Sequence, residues 1–448
     1  MKLADLDTGR TCVIGFAREG RALERVLQAR NPDARVEVVC DREPETRPRH
    51  WPMRVEALDQ RVLECDRVLR SPGVPDSDPI LAECRARGIP VTGISSLWFG
   101  QRPDARVIAV TGSKGKSTTA ALIAHLLTES GLRVELAGNI GRPLIDLVDV
   151  AADWFVIELS SYQLADLIGH ATIGVLTRLF PEHLDWHGSV EAYYAAKLRL
   201  AGMLDGRPLL IQSSDPVLSS ACHSLAGVVL ANRSDGIHAR TEGIFRRDTC
   251  LLSAADSPLP GRHNLDNIAL ALSVLDLIGV DVGHSGPALR RFSPLPHRLQ
   301  RLADVAGRSW VNDSISTTPY ATRAALEACG VAAVLIAGGF ERGADWQPVV
   351  EACRTRPLAG LVALPDNGGR IAAALIAAGA VDGARVVSVE SMADAVLQAD
   401  RLAPAGACIL LSPGAPSFPQ YRDFEQRGQR FVDAVASIKG TIGPSSCD

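Results

Sequence analysis

Apolar residues recur along the chain in short runs, each closed by a glycine or polar turn and followed by helical spacing, as in strands buried on both faces. The first run, Thr11 to Ile14, leads into Gly15, Phe16, Ala17, Arg18, Glu19 and Gly20. A helical pattern follows through Val26 and Leu27, then a second run, Val36 to Cys40, ending at Asp41. Strand, turn, helix and strand in that order predict a Rossmann-like unit. An acidic residue closing the second strand often meets a ribose hydroxyl, but GxxxxG without GxG leaves a nucleotide site and a ligand-free fold signature equally open. The polar stretch Gln101 to Asp104 predicts a linker. Beyond it lie strands at Val107 to Val110, Trp154 to Leu159 and Gly174 to Leu179. The texture breaks again from Pro294 to His297, and a third unit follows with strands at Ala333 to Ala337, Gly360 to Leu364 and Cys408 to Leu411. The expected architecture is α/β in three domains with mostly parallel sheets. They are a Rossmann-like N-terminal domain (1–102), a central P-loop-type ATPase domain (103–293) and a Rossmann-like C-terminal domain (294–448). No short internal repeat is present, and the tail is expected to fray after Gly440.

Composition agrees with this picture. A chain of 448 residues holds about three domains at roughly 150 residues each. With 46% hydrophobic and 22% charged residues it is neither disordered nor fibrous, and a net charge of −4 gives no reason to expect a nucleic-acid partner. The ten cysteines include no C-x-x-C pair, so buried free thiols in a reducing compartment are expected rather than zinc or redox chemistry. Without a signal-like start or a run of about 18 apolar residues, the expectation is a cytoplasmic protein with no membrane insertion.

The segment VIAVTGSKGKSTTAALIAHLLTESG reads as strand, glycine-rich turn and helix. Gly112 and Gly115 let backbone amides face a phosphate, Lys116 supplies a cation to the β/γ oxygens, and Ser117 or Thr118 stands where Mg²⁺ is held. The spacing is G-x-x-G-K-S, because Val110 occupies the place of the first glycine in the general motif. Two further groups follow strands. Glu158 closes the run from Trp154, where a carboxylate suits Mg²⁺ as well as it suits a helix start. His183 lies in FPEHLDWHGS; Pro181 and Gly188 make that segment a loop, with His187 an ordinary polar member. Ser189 reads as the N-cap of a helix in which Lys197, by composition, is an exposed lysine.

Together these segments resemble the Mur ligase family, which builds the peptidoglycan stem peptide. The shortened loop TGSKGKST matches that family's own phosphate loop. The other matches are AGNIGRPL, ELSSYQL, FPEHLDWHGS, AAKLRL, LPGRHNLDN, LPHRLQ, VNDSISTTP, GGFERGADW, LLSPGAPSF and DFEQRG, in family order over nearly the whole chain. The likeness is nearest to the glutamate-adding branch. It implies an ATP-dependent ligase that activates the carboxylate of UDP-N-acetylmuramoyl-L-alanine as an acyl phosphate and joins glutamate to it.

Residue by residue, the resemblance implies catalytic roles for Lys116, Glu158, His183 and Lys197. Lys197 is expected as a carbamate, and Ser117, Glu158, His183 and Lys197 as the metal set. ATP is expected at Gly112, Ser113, Lys114, Gly115, Lys116, Ser117 and Thr118, with Asn267, Arg298 and Asp313. The UDP substrate is expected at Gly15, Phe16, Ala17, Arg18, Ser71, Pro72, Gly73 and Asn139, and glutamate at Thr317, Arg342, Ser417 and Phe424. Enzymes adding D-glutamate carry Asn and Lys where this chain has Lys114 and Ile315. Losing a carboxylate-pairing lysine reshapes a glutamate pocket, so the L-glutamate-adding branch is favoured over the D-adding alternative. Small-molecule substrates, a monomer, and domain closure hinged near Arg102 and Pro294 are further expectations.

Overall fold

The computed structural model describes residues 1–302, 304 and 307–441. The tail beyond 441, where fraying was expected, and Cys447 lie outside the described residues.

The first apolar runs become β1 (Arg10–Ile14), β2 (Arg35–Cys40), β3 (Met53–Val55), β4 (Arg67–Arg70) and β5 (Val91–Gly93), a parallel sheet in the order β3-β2-β1-β4-β5. The second sheet comprises β6 (Val107–Thr111), β7 (Val134–Gly138), β8 (Trp154–Glu158), β9 (Ile173–Leu176), β10 (Leu209–Gln212) and β11 (Val228–Ala231). Its order is β11-β10-β9-β6-β8-β7, again parallel. Every residue of β6, β8 and β9 is buried, which is why their runs read as continuously apolar. A strand was expected to continue to Leu179, but the chain leaves the sheet after Leu176. There the Thr177 hydroxyl turns to the carbonyl oxygens of Thr111 and Lys114, and the Leu179 amide donates to Asp215.

Both sheets belong to one compact unit, Met1–Asp256 with Asp266–Arg290. A single apolar core runs through them, from Val13, Leu23 and Leu69 through Trp98 to Phe155 and Leu164. The Trp98 and Phe155 rings meet edge-on at 5.0 Å. The Arg102 guanidinium donates to the carbonyls of Leu147, Val148 and Val150. Arg70, wholly buried, forms a bidentate pair with Asp166 (2.7 and 2.8 Å) and also donates to the carbonyls of Val74 and Tyr162. The unit also contains a small antiparallel sheet, β12 (Ile237–Arg240), β13 (Gly243–Arg246) and β14 (Thr249–Ser253). Its short, half-polar strands left no clear run in the sequence.

The second unit, Ser257–Leu265 with the chain from Arg291 onward, holds β15 (Gln300–Arg301), β16 (Ser309–Asn312), β17 (Ala333–Gly339), β18 (Gly360–Asp366), β19 (Val386–Ser388) and β20 (Cys408–Leu411). The order is β15-β16-β20-β17-β18-β19, parallel except for the first pair. Asp313, just past β16, is buried; its carboxylate accepts from the Ser316 hydroxyl (2.5 Å), the Ser412 hydroxyl (2.9 Å) and the Leu299 amide (3.2 Å). Burial pushes its pKa up to about 6, and the two hydroxyls and the amide offset only part of that rise.

Two outcomes are expected. Arg70→Ala strands the Asp166 carboxylate in a buried site and should cost the first unit roughly 3–5 kcal/mol in urea unfolding; a loss below about 1 kcal/mol would contradict the tie described. Asp313 has a folded pKa above its ordinary 3.8, so the stability it confers through protonation is present below that value and is lost as pH rises through about 6. Relative to Asp313→Asn, the unfolding free energy of the native chain should therefore fall by roughly 2 kcal/mol between pH 4 and 7. Parallel pH profiles would refute this.

Candidate functional site

Strands β8 and β9 flank β6, so three C-terminal strand ends meet at one edge of the second sheet, where parallel sheets place ligands. From β6 the chain enters Gly112–Gly115 and then the helix Lys116–Glu129. Gly112 has φ +144° and Gly115 +90°, conformations that side-chain-bearing residues rarely adopt. A Cβ on Gly112 would strike the Thr177 hydroxyl, and one on Gly115 would lie 2.6 Å from Asn267 Oδ1. The helix start has no side-chain cap, which leaves its first amides to a phosphate.

The members of this loop differ in availability. Ser113 is buried; its amide donates to the Arg178 carbonyl, its hydroxyl to the Phe180 carbonyl (2.7 Å), and it accepts from Tyr193 (2.9 Å). Its side chain is thus an internal tie, which the sequence reading did not anticipate. Lys116 Nζ lies 2.9 Å from the Ser113 carbonyl oxygen, Ser117 is buried, and Thr118 is half-buried. Lys114 pairs with Glu182 at 2.9 Å. Glu182 is itself buried, and its partner lysines keep its carboxyl below the ordinary range against the opposing effect of burial.

Glu158 ends β8 with no exposed surface. One carboxylate oxygen accepts from Asn139 Nδ2 (2.7 Å), while the other is buried with no hydrogen-bond partner. The Asn139 carbonyl in turn accepts from Arg18 (3.2 Å). Lys197, expected from composition to be exposed, is 1% exposed. It sits on the inner face of the helix Val190–Gly202, capped as predicted by Ser189, and its Nζ donates to the Gly112 carbonyl (2.6 Å). Burial, then the nearby Lys116, holds its pKa well below the ordinary lysine value. His183 adopts a left-handed backbone (φ 56°) at the head of the short helix Leu184–His187, and burial lowers its pKa to about 4. A neutral imidazole is the form that can ligate a metal.

His187 departs from the expectation of an ordinary loop residue. Its ring stacks on Tyr162 (5.8 Å, 6°) and its Nε2 lies 3.0 Å from the Ser161 hydroxyl. Trp186 packs on the same tyrosine at 4.9 Å and donates to the Gly73 carbonyl (3.3 Å), while Tyr162 also meets His183 at 5.0 Å. An aromatic bridge therefore connects Gly73 with His183. The sequence hinted at it only through the aromatic residues in ELSSYQL and HLDWH. At its far side the Ser71 hydroxyl donates to the Gly15 carbonyl (2.8 Å), Phe16 is buried against Trp51, and Ala17, Arg18 and Gly73 are exposed, with Pro72 half-buried between them.

In the second unit the loops after β16, β17 and β20 share one edge of the sheet. Gly338 donates to the Pro413 carbonyl, Phe340 to Pro416 and Gly414 to Ser316. Thr317 is half-buried, Ser417 is buried and Arg342 is exposed, its guanidinium 5.8 Å from the Phe418 ring. Phe424 begins the helix Phe424–Thr441 and meets His297 edge-on at 6.4 Å. Arg298 is half-buried and electrostatically close to Asp313. Among the described residues no helix is long and apolar enough to cross a membrane, and no three His, Cys, Asp or Glu residues form a metal-holding group.

Positions 110–275 match the Mur ligase middle domain, and positions 297–414 the Mur ligase glutamate ligase domain. A UDP-N-acetylmuramoyl-L-alanine--L-glutamate ligase of Salinispora tropica is 39% identical, covering 98% of this chain and 100% of that protein. The protein of the same name from Xylella fastidiosa is 35% identical over 98% of this chain and 99% of its own length. Among solved structures, the UDP-N-acetylmuramate-alanine ligase MurC of Thermotoga maritima superposes with TM-score 0.61 at 17% identity, covering 96% of this chain and 100% of that one. The MurF ligase of the same organism, in complex with ADP, gives 0.59 at 14% identity over 99% and 100%. These two share the three-domain α/β fold. With full-length relatives above 30% identity and both domain matches in order, the chain belongs to the Mur ligase family.

Proposed function

We propose that this ligase joins glutamate, with L-glutamate favoured, to the alanyl carboxylate of UDP-N-acetylmuramoyl-L-alanine at the expense of ATP, in the cytoplasm. The observation that supports it most is the meeting, at three adjacent strand ends, of an uncapped phosphate-loop helix, a carboxylate with one unpartnered buried oxygen, a neutral histidine and a buried lysine. The preference for L-glutamate is supported by the names of the full-length relatives and by Lys114 and Ile315 at the positions that depart from the D-adding pattern.

A divalent ion fits this donor set. Glu158 supplies an unused carboxylate oxygen, His183 an unprotonated ring nitrogen and Ser117 a hydroxyl. Two of the ionisable donors are too few alone, and Lys197 supplies the third. Once its ammonium has given up a proton, the amine lone pair would add CO₂, losing one further proton and leaving a carbamate whose oxygens would complete the set. When bound, Mg²⁺ would neutralise charge on the phosphoryl oxygens.

The remaining chemistry follows from placement. The UDP end lies along Gly15–Arg18 and Ser71–Gly73, and the aromatic bridge of Trp186 and Tyr162 guides the muramoyl-alanyl portion towards His183 and Lys116. An alanyl carboxylate oxygen attacks the γ-phosphorus, the bond to the β-bridging oxygen breaks, and ADP leaves from an acyl phosphate. Lys116 and the loop amides stabilise the transferring group, so the protein mainly positions and neutralises. The glutamate amine then attacks the acyl carbon, phosphate departs and the nitrogen loses a proton. Asn267, beside Gly115, joins the loop in holding ATP. Within the second unit, Thr317, Arg342, Ser417 and Phe424 hold glutamate, and family likeness marks Arg298 and Asp313 as nucleotide positions. Arg342 clamps a carboxylate in the geometry guanidinium favours.

The test offers both enantiomers with ATP, Mg²⁺ and the UDP-sugar and measures phosphate release. The L form should support turnover at least about tenfold more efficiently, a difference of roughly 1.4 kcal/mol; equal or better use of D-glutamate would overturn the assignment. In the same assay Lys116→Ala should lower the rate by about 100-fold or more, as loss of a preorganised cation requires, and near-native turnover would remove the phosphate loop from the mechanism.

A further inference from the structure

Arg427 is among the largest side chains in the protein with essentially no exposed surface, at 1%. A guanidinium so deeply buried is costly unless a carboxylate compensates it. Instead, its hydrogen bonds run to neutral oxygens: Nε to the Ser314 hydroxyl (3.1 Å), Nη2 to the Ser314 carbonyl (2.8 Å) and Nη1 to the Ala415 carbonyl (3.0 Å). A Cβ on Gly339 would lie 3.2 Å from Nη1, so the loop after β17 rests against the same group. The Ser314 hydroxyl donates onward to the Phe424 carbonyl (2.8 Å) at the start of the helix that carries Arg427. Burial draws the pKa of Arg427 down to about 10, as expected where no carboxylate offsets it.

These contacts join three loops that lead to Thr317, to Ser417 and to Arg342, and they also reach Phe424. We propose that Arg427 is a positioning residue for the amino-acid substrate: it braces these loops from beneath and places an uncompensated positive charge under the pocket that receives the glutamate carboxylates. Three neutral oxygens hold the group in place, and a carboxylate of the bound amino acid supplies the opposite charge. An apolar side chain of similar volume would fill the space and forfeit both effects, whereas lysine retains the charge and part of the bonding. This inference rests on the glutamate reading given above.

Steady-state kinetics on the full chain, with each of the three substrates varied in turn, test it alongside thermal melting. Arg427→Met should raise KM for glutamate about tenfold or more while KM for ATP and for the UDP-sugar stay within about twofold, and Arg427→Lys should recover most of the glutamate KM. A purely structural role would instead lower kcat or disturb all three KM values together, and that result overturns the proposal, as does an unmoved glutamate KM. If Arg427→Met fails to fold, Ser314→Ala, which removes one acceptor and the tie to Phe424, should give a smaller shift confined to glutamate; no shift would overturn the proposal equally. Native enzyme that turns over neither enantiomer refutes the ligase reading and this inference with it, whereas native turnover with an unmoved KM in the variants refutes this inference alone.

Discussion

The crowding at Gly112 governs the first unit. The segment after β9 approaches the phosphate loop so closely that a single methyl group on Gly112 would strike the Thr177 hydroxyl, and the Gly112 carbonyl is the acceptor of the buried Lys197 amine. The loop is held in its turn because Thr177 fastens the backbone of Lys114 from below and Ser113 is tied to Arg178, Phe180 and Tyr193. Those same ties fix where β9 ends and where the His183 segment begins. Glu158, one strand away, then faces the loop with an oxygen left over for a cation. The phosphate-loop turn, the metal-type donors and the buried lysine are therefore consequences of one tightly packed strand end rather than separate inventions.

How much of this could be read from residue order depends on range. The buried strands and the phosphate loop were legible because β6, its turn and its helix are contiguous and follow a short-range code. Lys197 was not: its helix looks ordinary, and the Gly112 carbonyl and Lys116 that set its state come from some eighty positions away, so only family likeness marked it. His187 was misjudged for the same reason, since Tyr162 and Ser161, which hold it, belong to another segment. Arg70 and Asp166 lie 96 positions apart, and nothing in the sequence pairs them. The small antiparallel sheet escaped because its strands alternate too weakly to stand out from loop.

The second unit solves a different problem with the same geometry. Thr317, Ser417, Arg342 and Phe424, the proposed glutamate positions, stand on or beside loops joined by backbone exchange after β16, β17 and β20, with Arg427 and Asp313 buried among them. Two oppositely charged groups are thus kept in the interior beside the strand ends, one with a raised and one with a lowered pKa. At neutral pH the charged form of each carries a desolvation cost. Their cost is understandable where the loops must be held firmly for an anionic substrate and its nucleotide partner.

The central claim is that the phosphate loop serves amide synthesis and not ATP hydrolysis alone. Isotopically labelled L-glutamate, ATP, Mg²⁺ and UDP-N-acetylmuramoyl-L-alanine incubated with the native chain should yield a labelled amide product by mass spectrometry, with one ADP formed per amide and none when the UDP-sugar is omitted. ADP release that proceeds without the UDP-sugar, or without a matching amount of amide, would contradict the account.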